Sequence, residues 1–369
     1  MAKSNLKSAK ENKVDEFYTQ LVDIEKELRH YKEYFKNKII LCNCDDPFES
    51  NFFKYFAMNF KHLQIKKLIA TSYAESPIAY TQLSLFEDDN AENQIKSDKK
   101  PYKIIINDID DINNDGAFDL IDIQELLKSS QNNVLTVLKG DGDFRSDEIV
   151  ELLRESDIVV TNPPFSLFRE YVSQLVEYEK KFIIIGNTNA LGYKEIFKLF
   201  KDDQMSTGYT NFNKGMFFQV PDHWEKYSKI IDGKKHVRVS TSCWFTNFEI
   251  KKHNELITLY KQYSPEEYLR YENFEAINVD KVADIPYDYN GYIGVPITFL
   301  DKYNPKQFEI IGLGIANLGL EIGVQPYKSE HKKFRKEIQK RGAVDGDLYM
   351  MIDGVVTVPY SRIIIKKRG

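Results

Sequence analysis

The sequence predicts an α/β fold in which helices cover both faces of a mostly parallel sheet, with a second region after it. Short runs of β-branched and apolar residues alternate with segments whose apolar residues recur at helical spacing. This alternation is typical of strand–helix–strand units. After about residue 205 the period changes, and short segments punctuated by Pro and Gly follow. The sequence therefore predicts two domains, residues 1–250 and residues 251–369.

The elements follow from period and punctuation, taken in chain order. Helical spacing predicts helices over residues 21–36, 49–60, 117–128, 146–155 and 166–179. Apolar runs predict strands at 38–44, 67–73, 102–109, 134–138, 158–161 and 182–185. Farther along, strands are predicted at 205–220 and 236–250, and a helix at 254–270. Residues 74–101 are rich in Ser, Pro, Asp, Asn and Lys, which predicts a long flexible insertion.

Length and composition limit the class of protein. The 369 residues, 42% of them hydrophobic, suit one large domain or two smaller ones with a proper core. The first twenty residues are polar and charged, and no apolar run approaches the roughly 18 residues of a membrane span. The odd count of three cysteines favours reduced thiols. We therefore expect a cytoplasmic protein with no membrane contact and no metal site.

The net charge of −5 conceals an uneven distribution. Residues 80–119 contain ten acids and four lysines, whereas residues 321–341 contain seven Lys or Arg and three Glu. Within that basic stretch, four cations are candidate phosphate contacts: Lys332, Lys333, Arg335 and Lys336. The alternative is an ordinary solvated face.

One short motif carries most of the chemical information. The predicted strand Ile158–Thr161 leads directly into Asn162-Pro163-Pro164-Phe165. The two prolines remove two N–H donors and hold φ near about −65°, so that neighbouring carbonyls have no local donor. The side chain of Asn162 adds an acceptor beside the Pro163 carbonyl, and Phe165 adds a flat apolar face. Two acceptors and a stacking ring at the end of a strand suit a planar group that carries an NH₂.

This arrangement is that of amino-group methylation. The exocyclic amine of adenine is a poor nucleophile, because its lone pair is delocalised into the ring. Two acceptors that take both amine hydrogens favour a pyramidal nitrogen and matter most in the transition state. A base inside a duplex cannot reach such a pocket and must be flipped out. The competing interpretation is a strand followed by an ordinary Pro-Pro turn.

Several further stretches point to one family. The chain resembles the EcoRI-type modification methylases, which are adenine-specific DNA methyltransferases, over most of its length outside the insertion 74–101. The residues that carry the resemblance are 15–20, 23–28, 42–47, 51–56, 140–144, 162–165 and 308–312.

The resemblance implies a Rossmann-like methyltransferase sheet that binds S-adenosylmethionine, within residues 1–250, and an α+β region for DNA target recognition at 251–369. It implies that double-stranded DNA is the partner, with a GAATTC-like site. The residues implied to contact the methyl donor are Phe17, Tyr18, Thr19, Asn43, Asp45, Asp46, Asp141, Asp143 and Phe144. The chain departs from related methyltransferases in one respect, since the loop 45–50 contains no glycine.

The insertion contains a second motif. Gln82-Leu83-Ser84-Leu85-Phe86 resembles the peptide with which many bacterial proteins dock on the DNA polymerase sliding clamp. Apolar residues in a loop also pack on their own domain, so both interpretations stay open. For the whole chain, the alternatives to DNA adenine methylation are methylation of an RNA base or of a protein glutamine, and a non-catalytic protein that binds DNA or the clamp.

Overall fold

The computed structural model describes residues 18–73, 101–109, 134–220 and 224–368. The chain forms two compact units. The first comprises residues 1–190 and 207–248, and the second comprises residues 191–206 and 249–369. No helix in the described ranges is long and apolar enough to cross a membrane.

An eight-stranded sheet forms the centre of the first unit. Its strands, in the order in which they lie side by side, are β5 (Val134–Val137), β4 (Tyr102–Ile106), β3 (Lys67–Thr71), β2 (Ile39–Cys42), β6 (Ile158–Thr161), β7 (Lys181–Asn187), β12 (Ser242–Thr246) and β8 (Ser206–Thr207). The four neighbours β3, β2, β6 and β7 run parallel. The prediction of a mostly parallel sheet is wrong for the flanks, because β4, β5 and β12 pair antiparallel.

Helices connect the parallel strands, as this geometry requires. The first unit contains α1 (Leu21–Leu28), α2 (Lys32–Phe35), α3 (Asn51–Met58), α4 (Asp147–Glu155), α5 (Phe168–Glu177) and the 3₁₀ helix Thr188–Gly192. The helix α3 crosses from β2 to β3, and α5 crosses from β6 to β7. Acids in the first turn of α4 and Arg154 in its last turn match the helix dipole. The predicted helix 117–128 lies wholly outside the described residues, and so does the insertion 74–101 except for Pro101.

A second, antiparallel sheet packs on the same core. Its order is β1 (Tyr18–Thr19), β9 (Met216–Gln219), β11 (Lys234–Val239) and β10 (Lys229–Ile231). Met216, Phe218, Val237 and Val239 are buried in the cluster that also contains residues of β2 and β3. The sheet therefore lies against the central sheet and not apart from it.

The two late strands predicted for the first unit are each interrupted. Residues 205–220 form β8 and β9, and residues 236–250 contain parts of β11 and β12. Positive φ angles at Asn211, Asn213 and Gly215 break the first run, since an extended strand cannot pass through left-handed backbone.

The second unit has its own sheet, in the order β13 (Ala276–Asn278), β14 (Tyr292–Pro296), β18 (Arg362–Lys367) and β15 (Phe308–Leu313). A hairpin joins β16 (Met350–Ile352) to β17 (Val355–Thr357). The helices are α6 (Lys194–Lys201), α7 (Ala316–Glu321), α8 (Ser329–Lys333), the π-helical turn Phe334–Ile338, and 3₁₀ turns at Lys251–Asn254, Val282–Asp284 and Ile297–Lys302.

The predicted helix over 254–270 is wrong. A 3₁₀ turn ends at Asn254, and the chain continues without a helix. The Gln307 side chain pairs with both backbone groups of Ile257, and Asp288 accepts the N–H of Tyr263 at 2.8 Å. Pro265 cannot donate to a helix interior. These tertiary bonds satisfy backbone groups that a helix would otherwise use, and they override a weak apolar period.

Candidate active site

The site lies where the chain order of the sheet reverses. From β2 the chain moves outward to β3 on one side, and it later returns to β6 on the other. The loops that leave the carboxyl ends of β2 and β6 therefore diverge, and ligands of open α/β sheets bind in such a crevice. Asn43 and Asp46 follow β2, and Asn162 follows β6. The structure thus places three sequence-predicted residues at one edge.

Asn43 ties the two loops together. Its backbone carbonyl accepts a hydrogen bond from the Thr161 hydroxyl, at the end of β6. Its side-chain oxygen accepts a hydrogen bond of 2.5 Å from the hydroxyl of Tyr171 in α5. Burial is the main reason why the pKa of Tyr171 lies well above its usual value, so this hydroxyl stays a donor. Asn43 therefore fixes the geometry of the crevice instead of pointing freely into it.

The tetrapeptide Asn162–Phe165 passes from the buried end of β6 to the surface. Asn162 and Pro163 are buried, whereas Pro164 and Phe165 are half-buried. The Pro164 carbonyl accepts the N–H of Leu167 at 3.0 Å. Among the described residues, no donor reaches the Pro163 carbonyl. Of the two proline carbonyls, the one next to Asn162 is therefore the one open to a ligand.

The ring of Phe165 connects the tetrapeptide to the small sheet. It packs edge-on against Phe218 of β9, with ring centroids 6.2 Å apart. Phe218 is paired with Thr19 of β1, and the Thr19 carbonyl accepts a hydrogen bond of 2.7 Å from Asn51 at the start of α3. Tyr18 and Thr19 are both buried. The structure thus connects β1, which is predicted to contact the methyl donor, to the predicted base pocket Asn162–Phe165 through Phe218.

Asp46 is the most perturbed acid of the site. One oxygen accepts hydrogen bonds from Tyr102 at 2.8 Å and from the N–H of Phe48 at 3.0 Å. The other oxygen is buried and has no hydrogen-bond partner in the described part of the chain. Burial raises the pKa of Asp46 to about 6, although the two hydrogen bonds act in the opposite direction. A buried acceptor without a donor costs free energy and marks a place for a ligand.

The loop with Asp141 and Asp143 crosses the end of β3. Gly142, at a φ of +79°, fits there because a Cβ would lie 2.2 Å from the Ser72 carbonyl oxygen. Asp141 accepts the N–H of Asp143 at 2.9 Å. Both oxygens of Asp143 bind Arg145, and this contact lowers the pKa of the carboxyl group. The Asp143 carboxylate is thus already engaged within its own turn.

Phe144 is buried beside Tyr171, with ring centroids 5.0 Å apart. Asp45, also buried, accepts a hydrogen bond of 3.3 Å from Ser50. The loop 139–144 after β5 and the loop after β2 therefore both contact Tyr171 of α5, through the ring of Phe144 and the side chain of Asn43. Phe17 and Gln82–Phe86 lie outside the described residues.

The four cations predicted to contact phosphates lie in the second unit, on α8 and the π-helical turn. Lys332 forms an ion pair of 2.5 Å with Asp345. Arg335 donates to the carbonyls of Gly342 and Val356. Lys333 and Lys336 are exposed. Two of the four thus hold the turn in place, and two face solvent.

Sequence reasoning missed Tyr102, Tyr171 and Phe218. Each lies far along the chain from its partner at the site, and each occupies an apolar period that equally predicts core packing. An Asp-Gly pair between apolar runs is typical of a hairpin turn. The pair Asp232-Gly233 could therefore have predicted the hairpin of β10 and β11 from the sequence. In the structure both residues have positive φ, 48° and 76°, and they join β10 to β11.

The parallel centre, the switch point and the polar loops define an α/β protein of the class in which ligands bind at the carboxyl edge of the sheet. No group of three metal-ligating side chains occurs among the residues that the structure describes.

Comparison with known proteins specifies the family. Residues 5–368 match the family described as adenine-specific methyltransferase EcoRI. The chain is 40% identical to the type II methyltransferase M.EcoRI of Escherichia coli over 370 residues, which cover 98% of this chain and 96% of that protein. It is 38% identical to the type II methyltransferase M.MpnI of Mycoplasma pneumoniae, over 82% of this chain and 83% of that protein. The chain belongs to the EcoRI family of adenine-specific methyltransferases. No solved structure matches it.

Proposed function

We propose that this protein is a site-specific DNA adenine methyltransferase. It transfers a methyl group from S-adenosylmethionine to the exocyclic N6 amine of an adenine flipped out of a short duplex site. The observation that carries the proposal is the position of Asn162–Phe165 at the switch point, directly after a strand that is paired with β2 and bonded to the β2 loop that carries Asn43 and Asp46. The family supports the adenine specificity.

The base pocket follows from the tetrapeptide. The side-chain oxygen of Asn162 and the Pro163 carbonyl take the two amine hydrogens. We assign this role to the Pro163 carbonyl and not to the Pro164 carbonyl, because the latter already accepts the N–H of Leu167. Phe165 is half-buried and its ring packs edge-on against Phe218, which sets the orientation of the ring that we assign to stack on the extruded base. These contacts hold the amine in the orientation in which its lone pair can attack.

Buried polar side chains of β1, the β2 loop and β3 fit S-adenosylmethionine, the proposed methyl donor. S-adenosylmethionine supplies a methyl group on a positively charged sulfur when it is bound. Three buried oxygens without a hydrogen-bond partner in the described ranges lie in or beside the carboxyl ends of β1, β2 and β3: Thr19 Oγ1, Asp46 Oδ2 and Thr71 Oγ1. Hydroxyl and ammonium groups of a ligand satisfy such acceptors, and a positive charge nearby keeps Asp46 ionised.

The second unit is proposed to recognise the DNA target. In its basic segment, Lys333 and Lys336 are exposed and are proposed to contact DNA phosphates. Lys332 and Arg335 hold the segment in place through Asp345 and the Gly342 carbonyl, and they add positive charge. The similarity to M.EcoRI supports a GAATTC-like site. Sequencing of modified bases in DNA from expressing cells tests the site. Docking of Gln82–Phe86 on a sliding clamp stays a separate prediction.

Replacement of Asn162 tests the chemistry directly. We expect Asn162→Ala to lower the rate of methyl transfer by at least about 10²–10³, since one transition-state hydrogen bond of this kind contributes that much. Binding of the donor and of DNA should change little. Asn162→Asp keeps an acceptor oxygen and should retain more activity. The measurement is single-turnover transfer of a labelled methyl group to a duplex oligonucleotide.

A matched control lies at the end of the neighbouring strand. Asn187 ends β7, and its side chain contacts Thr241 at 2.6 Å and the N–H of Asn189 at 2.9 Å. Asn187→Ala should leave turnover within a few-fold of wild type. Turnover of Asn162→Ala within tenfold of wild type contradicts the assignment. Labelled transfer assayed on DNA, RNA and protein in parallel distinguishes the proposed acceptor from the two alternatives.

A further inference from the structure

The first unit contains a basic segment outside the proposed base pocket. Residues 224–240 carry five cations and two acids, whereas the whole chain has a net charge of −5. The segment forms the β10–β11 hairpin and the residues just before it. The cations are Lys226, Lys229, Lys234, Lys235 and Arg238.

Three of these cations share one face of the hairpin. Lys234 and Arg238 alternate along β11 with His236, and Lys229 is paired directly with His236. Side chains two residues apart, or directly opposite, lie on the same face of a sheet. Lys229, Lys234 and Arg238 are all exposed. No salt bridge within the described part of the chain involves them.

Local contacts orient this face, and Lys229 also lies near the half-buried carboxyl group of Asp23. The ammonium group of Lys229 lies 3.7 Å from the ring centroid of Phe217. Arg238 donates to the Lys214 carbonyl at 2.7 Å. A cation above a ring and a cation on a carbonyl both keep their full charge.

The hairpin belongs to the same sheet as the wall of the base pocket. Phe218 of β9 contacts Phe165, and Val237 of β11 is paired with Phe218. Neighbouring strands lie about 4.8 Å apart, so β10 lies roughly 10 Å from β9. A base extruded toward Phe165 leaves its flanking phosphates within a comparable distance, and long Lys and Arg side chains can span the remainder. A two-stranded ribbon also has the width that a major groove of about 12 Å admits.

We infer that the β10–β11 hairpin is a phosphate-contacting arm of the catalytic unit, which holds the target duplex beside the pocket through Lys229, Lys234 and Arg238. The inference rests on the proposed function, because the partner it names is the DNA substrate. It adds a second group of contacts to those proposed for the other unit.

The salt dependence of DNA binding tests this arm. Each phosphate contact contributes about 0.9 to the slope of log K against log salt concentration. We expect Lys229→Gln with Lys234→Gln to lower that slope by roughly 1.8, equally for cognate and random duplexes. Lys229→Arg with Lys234→Arg should retain the slope. The matched control is Lys36→Gln with Lys66→Gln, which removes the same charge from exposed positions beside the amino ends of β2 and β3.

Two results separate the arm from the chemistry. Methyl transfer by wild type to the same duplex is measured first, and its absence contradicts the proposed function. If transfer occurs and the double Gln variant keeps the wild-type slope, the cations form a solvated face and the inference is overturned. A photo-crosslinking amino acid at Ile231, which is paired directly with Lys234 on the face of the three cations, should capture the duplex. The same amino acid at Val22, which is 52% exposed on α1, should not. Equal capture at both positions also overturns the inference.

Discussion

Cys44 adopts a tight-turn conformation that its residue type does not predict. The loop 45–50 has no glycine, which suggested that its backbone could not turn tightly toward a ligand. In the structure Cys44 has a φ of +74°, the left-handed conformation that glycine usually provides. The turn is therefore present one residue earlier, at a cost of roughly 1 kcal/mol for a residue with a Cβ. Residue type alone could not predict it.

At the same scale, the buried carboxyl group of Asp46 makes the stability of the fold depend on pH. Its pKa is about 6 in the folded chain and about 3.9 in an unfolded one. A raised carboxyl pKa means that the folded state binds more protons between these values, so its stability falls as pH rises through that window. About two pKa units correspond to roughly 3 kcal/mol at neutral pH.

We therefore expect Asp46→Asn to stabilise the ligand-free protein at pH 7 by up to about 3 kcal/mol and to flatten the pH dependence between pH 4 and 6. It should also weaken donor binding, because the amide cannot offer a charged acceptor. In wild type, donor affinity should fall as pH drops below about 6. Urea unfolding and calorimetry measure the two effects. Asp202→Asn, at an exposed acid, is the control, and an equal stabilisation there contradicts the account.

At the scale of elements, buried strands were predictable and partner-dependent segments were not. The strand Ile158–Thr161 has the predicted bounds and is buried throughout, because a short β-branched run between a charged stretch and a Pro-Pro turn is typical of a buried strand. The segment 254–270 failed, since its backbone partners Gln307 and Asp288 come from distant parts of the chain. For the same reason the sequence did not predict the hydrogen bond between Tyr171 and Asn43. Local period cannot reveal a partner more than 100 residues away.

The loop 139–144 gives a prediction at this scale. In Gly142→Ala a Cβ would lie 2.2 Å from the Ser72 carbonyl oxygen, and the φ of +79° adds strain. The loop must then move away from the end of β3. We expect a loss of stability of about 2–4 kcal/mol. We also expect weaker binding of S-adenosylmethionine, because Asp141, Asp143 and Phe144 of this loop are predicted to contact it. Gly140→Ala is a close control, because no atom lies within 4 Å of its Cβ position. Similar thermal unfolding of the two variants contradicts the prediction.

For the whole molecule, net charge was a poor guide and charge placement a better one. The chain has a net charge of −5, yet its basic groups are gathered in short stretches of both units. The sequence located the stretch 328–341, because seven cations follow one another closely. It did not separate cations that support the fold from those that face solvent. That distinction depends on Asp345 and on the carbonyls of Gly342 and Val356, which only the folded chain brings near.

This separation gives a final pair of variants. Lys333 and Lys336 are exposed, so Lys333→Gln with Lys336→Gln should lower the salt slope of DNA binding by roughly 1.8 and leave unfolding unchanged. Lys332→Gln with Arg335→Gln breaks the contacts to Asp345, Gly342 and Val356. It should therefore lower the melting temperature as well as the slope. Because each phosphate contact contributes its own share to the slope, the slope change of the first pair should add to that of Lys229→Gln with Lys234→Gln. A combined variant whose slope equals that of either pair alone means that the two units do not hold the duplex at the same time.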